Sequence, residues 1–120
     1  MNCRRLLITI DGNEYAAELQ DNPCAVALKN ELPVTLTFQD FGGQEVLAEA
    51  PKKLPMSGMP ASAGASPGDI GYYSPTGSIV FYYASVSPFP GIARLGHFTE
   101  DVSFLASTRE NLEVTISLAE

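Results

Sequence analysis

Short stretches of alternating apolar and polar residues, each closed by a glycine, proline or asparagine turn, recur along this chain and leave space for one convincing helix. Alternation with period two sends every second side chain to the same face of an extended strand. Residues 5–19 show it most clearly. Leu6, Ile8 and Ile10 alternate with Leu7, Thr9 and Asp11, and Tyr15, Ala17 and Leu19 alternate with Glu14, Ala16 and Glu18. Between them Asp11-Gly12-Asn13 offers the residues that tolerate the positive φ of a tight turn, which predicts a hairpin. Val34, Leu36 and Phe38 then alternate with Thr35, Thr37 and Gln39, and Gly42-Gly43 marks a turn into a weaker strand over Gln44 to Ala50. Further strands are predicted over Gly68 to Ser74, Ser78 to Ala84, Ile92 to Phe98 and Leu112 to Leu118. Ile79, Val80, Phe81, Tyr82 and Tyr83 are apolar or aromatic without a break, which predicts a strand covered on both faces.

The helix follows the first hairpin. Asp21 or Asn22 can cap it, Pro23 suits its first turn, Ala25, Leu28 and Leu32 fall on one face over about ten residues, and Pro33 stops it. A second, short helical turn is predicted from Thr99 or Glu100 through Ala106. Strands and helices do not alternate regularly, so a parallel doubly wound sheet is disfavoured and an antiparallel sandwich or barrel is expected. Two segments lack any period: residues 51–67, rich in Pro, Gly, Ala and Ser, predicted as a long irregular loop, and a Pro-rich corner at Ser87 to Gly91. At 120 residues the whole chain, 1–120, suits a single domain able to bury its own core.

A net charge of −7 with scattered acids repels phosphate backbones and anionic lipid, which predicts no nucleic-acid and no membrane partner. The apolar run after Arg4 and Arg5 is too short for a signal peptide, and Cys3 and Cys24, in a strand and a helix, are read as reduced structural thiols. A cytoplasmic location is expected.

Catalytic chemistry finds little footing. His97 is the one histidine, and Asp101 and Ser103 lie near it, but sequence proximity is no substitute for the converging geometry of a triad. Cys3, Cys24 and His97 show no paired spacing for zinc. Gly58, Gly64, Gly68 and Gly71 lack the lysine and following helix of a phosphate loop. No catalytic residue, metal or cofactor is therefore assigned. The aromatic residues are more informative: Tyr72, Tyr73, Phe81, Tyr82, Tyr83, Phe89 and Phe98 fall within 27 residues that also hold Arg94. Part of this set must fill a core, and the rest could line a concave apolar surface. The candidate ligand-binding residues are Tyr72, Tyr82 and Phe89, with Arg94 orienting an acceptor group, Met56 and Met59 bordering the surface from the loop, and His97 beside it.

The run GDIGYYSPTGSIVFYYASVSPFPGIARLGHF, residues 68–98, resembles the small bacterial and archaeal cyclophilin-like domain proteins. So does the order of an N-terminal hairpin, a capped helix ending at Leu32-Pro33 and a Val34-Thr35-Leu36 strand. The resemblance implies a mainly β fold: a closed antiparallel cyclophilin-like β-barrel with one short helix and a helical turn. Cyclophilins are peptidyl-prolyl isomerases that use an arginine in a Phe-His-Arg segment and a following Gln-Gly-Gly. Neither motif occurs here, and Arg94 sits instead in Ile92-Ala93-Arg94-Leu95-Gly96. The leading expectation is a module that binds a peptide or small apolar ligand, with the 51–67 loop as a lid. The alternatives are a divergent prolyl isomerase, and a structural or homodimerising module in the company of flavodoxin-type redox proteins, since strand edges are natural pairing templates.

Overall fold

A computed structural model describes residues 4–107 and 111–119. Its strands are β1 (Arg5–Ile10), β2 (Asn13–Leu19), β3 (Val34–Phe41), β4 (Glu45–Glu49), β5 (Ser62–Ala65), β6 (Asp69–Tyr73), β7 (Ser78–Tyr82), β8 (Val86–Pro90), β9 (Ile92–Phe98) and β10 (Leu112–Leu118). Eight of them close into an antiparallel barrel in the order β1-β10-β3-β4-β7-β6-β9-β2, and β5 and β8 form a separate two-stranded ribbon. The expected hairpin over residues 5–19 is present, with Ile8 opposite Tyr15 and positive φ at Asp11 and Gly12.

The barrel interior follows the alternation. Ile8, Ile10, Phe38, Val46, Ile70, Ile79, Phe81, Leu95, Val114 and Ile116 are buried in one cluster. Phe81 lies at its centre, stacked on Phe38 with ring centroids 4.3 Å apart and edge-on to Phe98 at 5.0 Å. Closure occurs between β2 and β9, where Ala17, Glu18 and Leu19 pair with Phe98, His97 and Gly96. At this seam the backbones come so close that a Cβ on Gly96 would lie 2.0 Å from the Glu18 carbonyl oxygen. Only a glycine fits there.

The helix α1 (Pro23–Lys29) is shorter than the apolar spacing suggests. Asn22 is its N-cap, accepting from the Ala25 N–H at 2.8 Å, and the Asn22 amide also donates to the Arg94 carbonyl at 2.9 Å. That second bond ties the helix start to β9. Cys24, Ala25 and Leu28 are buried beneath it, while Leu32 lies past its end and packs against the core from the connection to β3. Burial pushes the Cys24 thiol up to about 11, so it is an inert packing group. Cys3 lies outside the described residues. The second helical element is a single 3-10 turn over Ser103–Ser107.

Two expectations are corrected. The irregular loop at 51–67 contains β5, and the Pro-rich corner contains β8; the two pair with each other, Ser62 opposite Pro90 and Ala63 opposite Phe89. Neither strand has an apolar period of its own, because each is held by its partner and by the barrel beneath. Gly64 permits this pairing: a Cβ there would meet the Val86 carbonyl oxygen at 2.8 Å. The ribbon also accounts for the unbroken apolar run of β7. Ile79 and Phe81 point into the barrel, and Ser78, Val80 and Tyr82 point outward, yet all five residues are buried.

Candidate functional site

Between the outer face of the barrel and the ribbon lies a cavity of about 400 Å³, near the lower end of the range for small-molecule sites. Its floor is built from outward-pointing positions of neighbouring strands: Leu47 on β4, Ser78 and Tyr82 on β7, Tyr73 on β6 and Ile92 at the start of β9. Register brings them together, since Leu47 lies opposite Val80, Tyr73 opposite Ser78, and Ile92 opposite Tyr73. Val86 and Phe89 of β8 form the roof, and Phe41, Gln44 and Glu45 at the β3–β4 turn, with Thr76 at the β6–β7 turn, form the rim. Phe89 leans on Tyr73 with ring centroids 6.2 Å apart and a tilt of 45°.

Tyr82 is 2% exposed and lies across Gly71 of β6, where a Cβ would come within 2.8 Å of its ring. The missing side chain at Gly71 is what lets the ring lie against the sheet. Burial first, then the nearby Glu45 and Asp69 carboxylates, hold the Tyr82 phenol well above the usual tyrosine range, so it keeps its proton and remains a hydrogen-bond donor. Glu45, its register partner on β4, has its carboxyl raised by burial and then by the neighbouring Asp40. Asp40 in turn accepts a hydrogen bond from the Tyr83 hydroxyl. At the opposite side, the Ser78 and Thr76 hydroxyls bond each other at 2.8 Å. Among the described residues no lysine, arginine or histidine lines the cavity.

Of the seven residues singled out from sequence, the structure brings Tyr82 and Phe89 to this cavity and places five elsewhere. Tyr72 points into the barrel, where its hydroxyl accepts the Leu54 N–H at 3.0 Å. Arg94 lies on the outer face but donates to Asp69 at 3.2 Å, whose other carboxylate oxygen accepts the Ser66 N–H at 2.8 Å. Met56 and Met59 pack partly buried against the core, and no residue of the 51–67 segment lines the cavity. His97, opposite Asp69 on β6 and Glu18 on β2, faces the Glu18 carboxylate at 3.8 Å. Phe41, Glu45, Leu47, Tyr73 and Val86 were not singled out. Phe41 carries a readable signal, a large apolar side chain directly before the Gly42-Gly43 turn. Tyr73 belongs to the aromatic set already read from the sequence; Glu45, Leu47 and Val86 show no signal, because their outward phase is invisible until β7 is known to be roofed.

Asp101 accepts from the backbone N–H and the hydroxyl of Ser103, a local turn that lowers the Asp101 carboxyl by those two bonds. It contains no histidine, since His97 is engaged with Glu18 across the β2–β9 seam. Among the described residues no arginine lines the cavity, whereas a cyclophilin isomerase site uses one. Among the described residues no three His, Cys, Asp or Glu side chains are grouped to hold a metal ion, and no helix is long and apolar enough to cross a membrane.

Fold and site together define a closed antiparallel barrel with an apolar cavity outside its wall, roofed by a two-stranded ribbon. The chain belongs to the cyclophilin-like family, whose profile matches residues 8–117. Its fold is similar to that of the hypothetical protein AF2241 from Archaeoglobus fulgidus, determined in solution. The TM-score is 0.75 at 17% identity, over 98% of this chain and 95% of that chain. At that identity the likeness is one of fold alone. No match was found among curated proteins.

Proposed function

We propose that the protein is a binding module that holds a small, largely apolar ligand between the outer wall of the barrel and the β5–β8 ribbon. The observation that carries this reading is the exposure of Phe41 and Phe89, 64% and 52%, on either side of a cavity whose floor is already aromatic. Among the described residues only one other large apolar side chain, Val26, is so exposed. Apolar side chains left open together around a concavity are a mark of a binding surface. The rigid wall supplies a preformed floor, so little ordering entropy is lost when a ligand enters.

Methyl-resolved NMR with a library of small aromatic and aliphatic compounds tests this. Ligands are expected to shift the methyl signals of Leu47, Val86 and Ile92 together, and Phe89→Ala is expected to weaken them by about tenfold through lost apolar contact. Compounds that bind only elsewhere, or none that move those three residues, would overturn the reading.

A further inference from the structure

We propose that this cavity selects organic ammonium cations, ligands with an apolar body and an alkylated nitrogen, which its aromatic rings and the Glu45 carboxylate recognise together. The proposal rests on the reading of the cavity as a binding site and specifies its chemistry. Four rings from four different strands converge on it: Phe41 from β3, Tyr73 from β6, Tyr82 from β7 and Phe89 from β8. Aromatic faces carry negative partial charge and attract a cation within about 6 Å of the ring centre, most strongly where water is excluded. Tyr73 and Phe89, tilted at 45° to one another, form an open angle instead of a closed stack. A rounded group can enter such an angle.

The charges point the same way. Glu45 lies among the rings, directly across the β4–β7 ladder from Tyr82, and among the described residues no basic side chain lines the cavity to neutralise it. Arg94, on the outer face of β9, is already paired with Asp69. An anionic ligand would therefore be desolvated beside a carboxylate with no partner, which is strongly unfavourable. A bare metal ion would need several oxygen ligands, and the lining offers mostly carbon. A primary ammonium would lose water from three N–H groups, and the Thr76 and Ser78 hydroxyls that could replace it are bonded to each other. Alkylation removes that cost while keeping the charge. The chain's net charge of −7 adds a long-range attraction for cations.

The test compares three probes of similar shape by NMR titration of the Leu47, Val86 and Ile92 methyls: benzyltrimethylammonium, its neutral carbon analogue neopentylbenzene, and the anion phenylacetate. Benzyltrimethylammonium is expected to bind at least about tenfold more tightly than neopentylbenzene, with no saturable shift from phenylacetate. Glu45→Gln and, separately, Phe89→Leu should each weaken the cation more than neopentylbenzene, so that the ratio of the two affinities falls. Both variants change rim or roof positions, and their far-ultraviolet spectra check that the barrel is intact. Equal binding of cation and neutral analogue, or preference for the anion, would overturn the proposal and leave the apolar site standing. Failure of all three probes to move these methyls would overturn both.

Discussion

Replacing Gly71 by alanine separates the cavity from the core more sharply than any substitution of a lining side chain. The added methyl would lie 2.8 Å from Cε2 of Tyr82, 3.3 Å from its hydroxyl and 3.2 Å from the Ala93 carbonyl oxygen. Ordinary contact begins near 3.4 Å, so the Tyr82 ring must lift by roughly half an ångström and the β9 carbonyl must yield slightly. In a close-packed interior such crowding costs about 1–3 kcal/mol. Although Tyr82 is only 2% exposed, it borders the cavity, so its ring can give on that side, and the cost should fall near the lower figure. Part of that is offset by about 0.4–1 kcal/mol, because alanine restricts the unfolded chain and the Gly71 backbone has no left-handed φ to forbid it. The expected result in urea denaturation is a stability change within about 1 kcal/mol, accompanied by at least about a tenfold loss of benzyltrimethylammonium binding, as the ring occupies the ligand's space. A cost of about 3 kcal/mol with unchanged binding would show that Tyr82 has no room above it and that the cavity does not reach its ring.

Two other outcomes follow from the same structure. Gly96→Ala places a methyl against backbone atoms of Glu18 on the β2–β9 seam, so no side chain can relieve it; a loss of about 3 kcal/mol or more in urea melts is expected, and wild-type stability would refute the close approach. Glu45→Gln is expected to stabilise the protein at neutral pH. The folded-state pKa of Glu45 is raised by burial and then by Asp40, so its favourable contribution is complete below the unfolded value and is lost as pH rises through the folded one. The variant's advantage should vanish near about pH 4, and a difference in melting temperature that does not change with pH would contradict the assignment.

Much of the barrel was legible because local chemistry and tertiary pairing agree. Asp11-Gly12-Asn13 closes a hairpin whose alternation survives intact, and Asn22 with Pro23 starts the helix where capping chemistry requires. The ribbon was not legible. Ser62–Ala65 and Val86–Pro90 carry small residues and prolines with no period, and they are extended only because each pairs with the other, 21 or more residues away along the chain. The cavity inherits that difficulty, since its roof is β8.

The clearest division runs through two adjacent tyrosines. The sequence alone determined that 72–73 and 79–83 are apolar or aromatic within strands, and that 79–83 is covered on both faces, because that run satisfies neither a helical nor an amphipathic period. Which ring faces the core and which faces the cavity was decided by the closed barrel. Tyr72 turns inward to meet the Leu54 N–H, and Tyr73 turns outward to meet Phe89. A one-residue change of phase would exchange them, and in a strand that is apolar on both sides nothing in the local pattern opposes that exchange. Only the ladder from β4 through β7 and β6 to β9, locked by closure at Gly96, settles the phase. With it came the cavity.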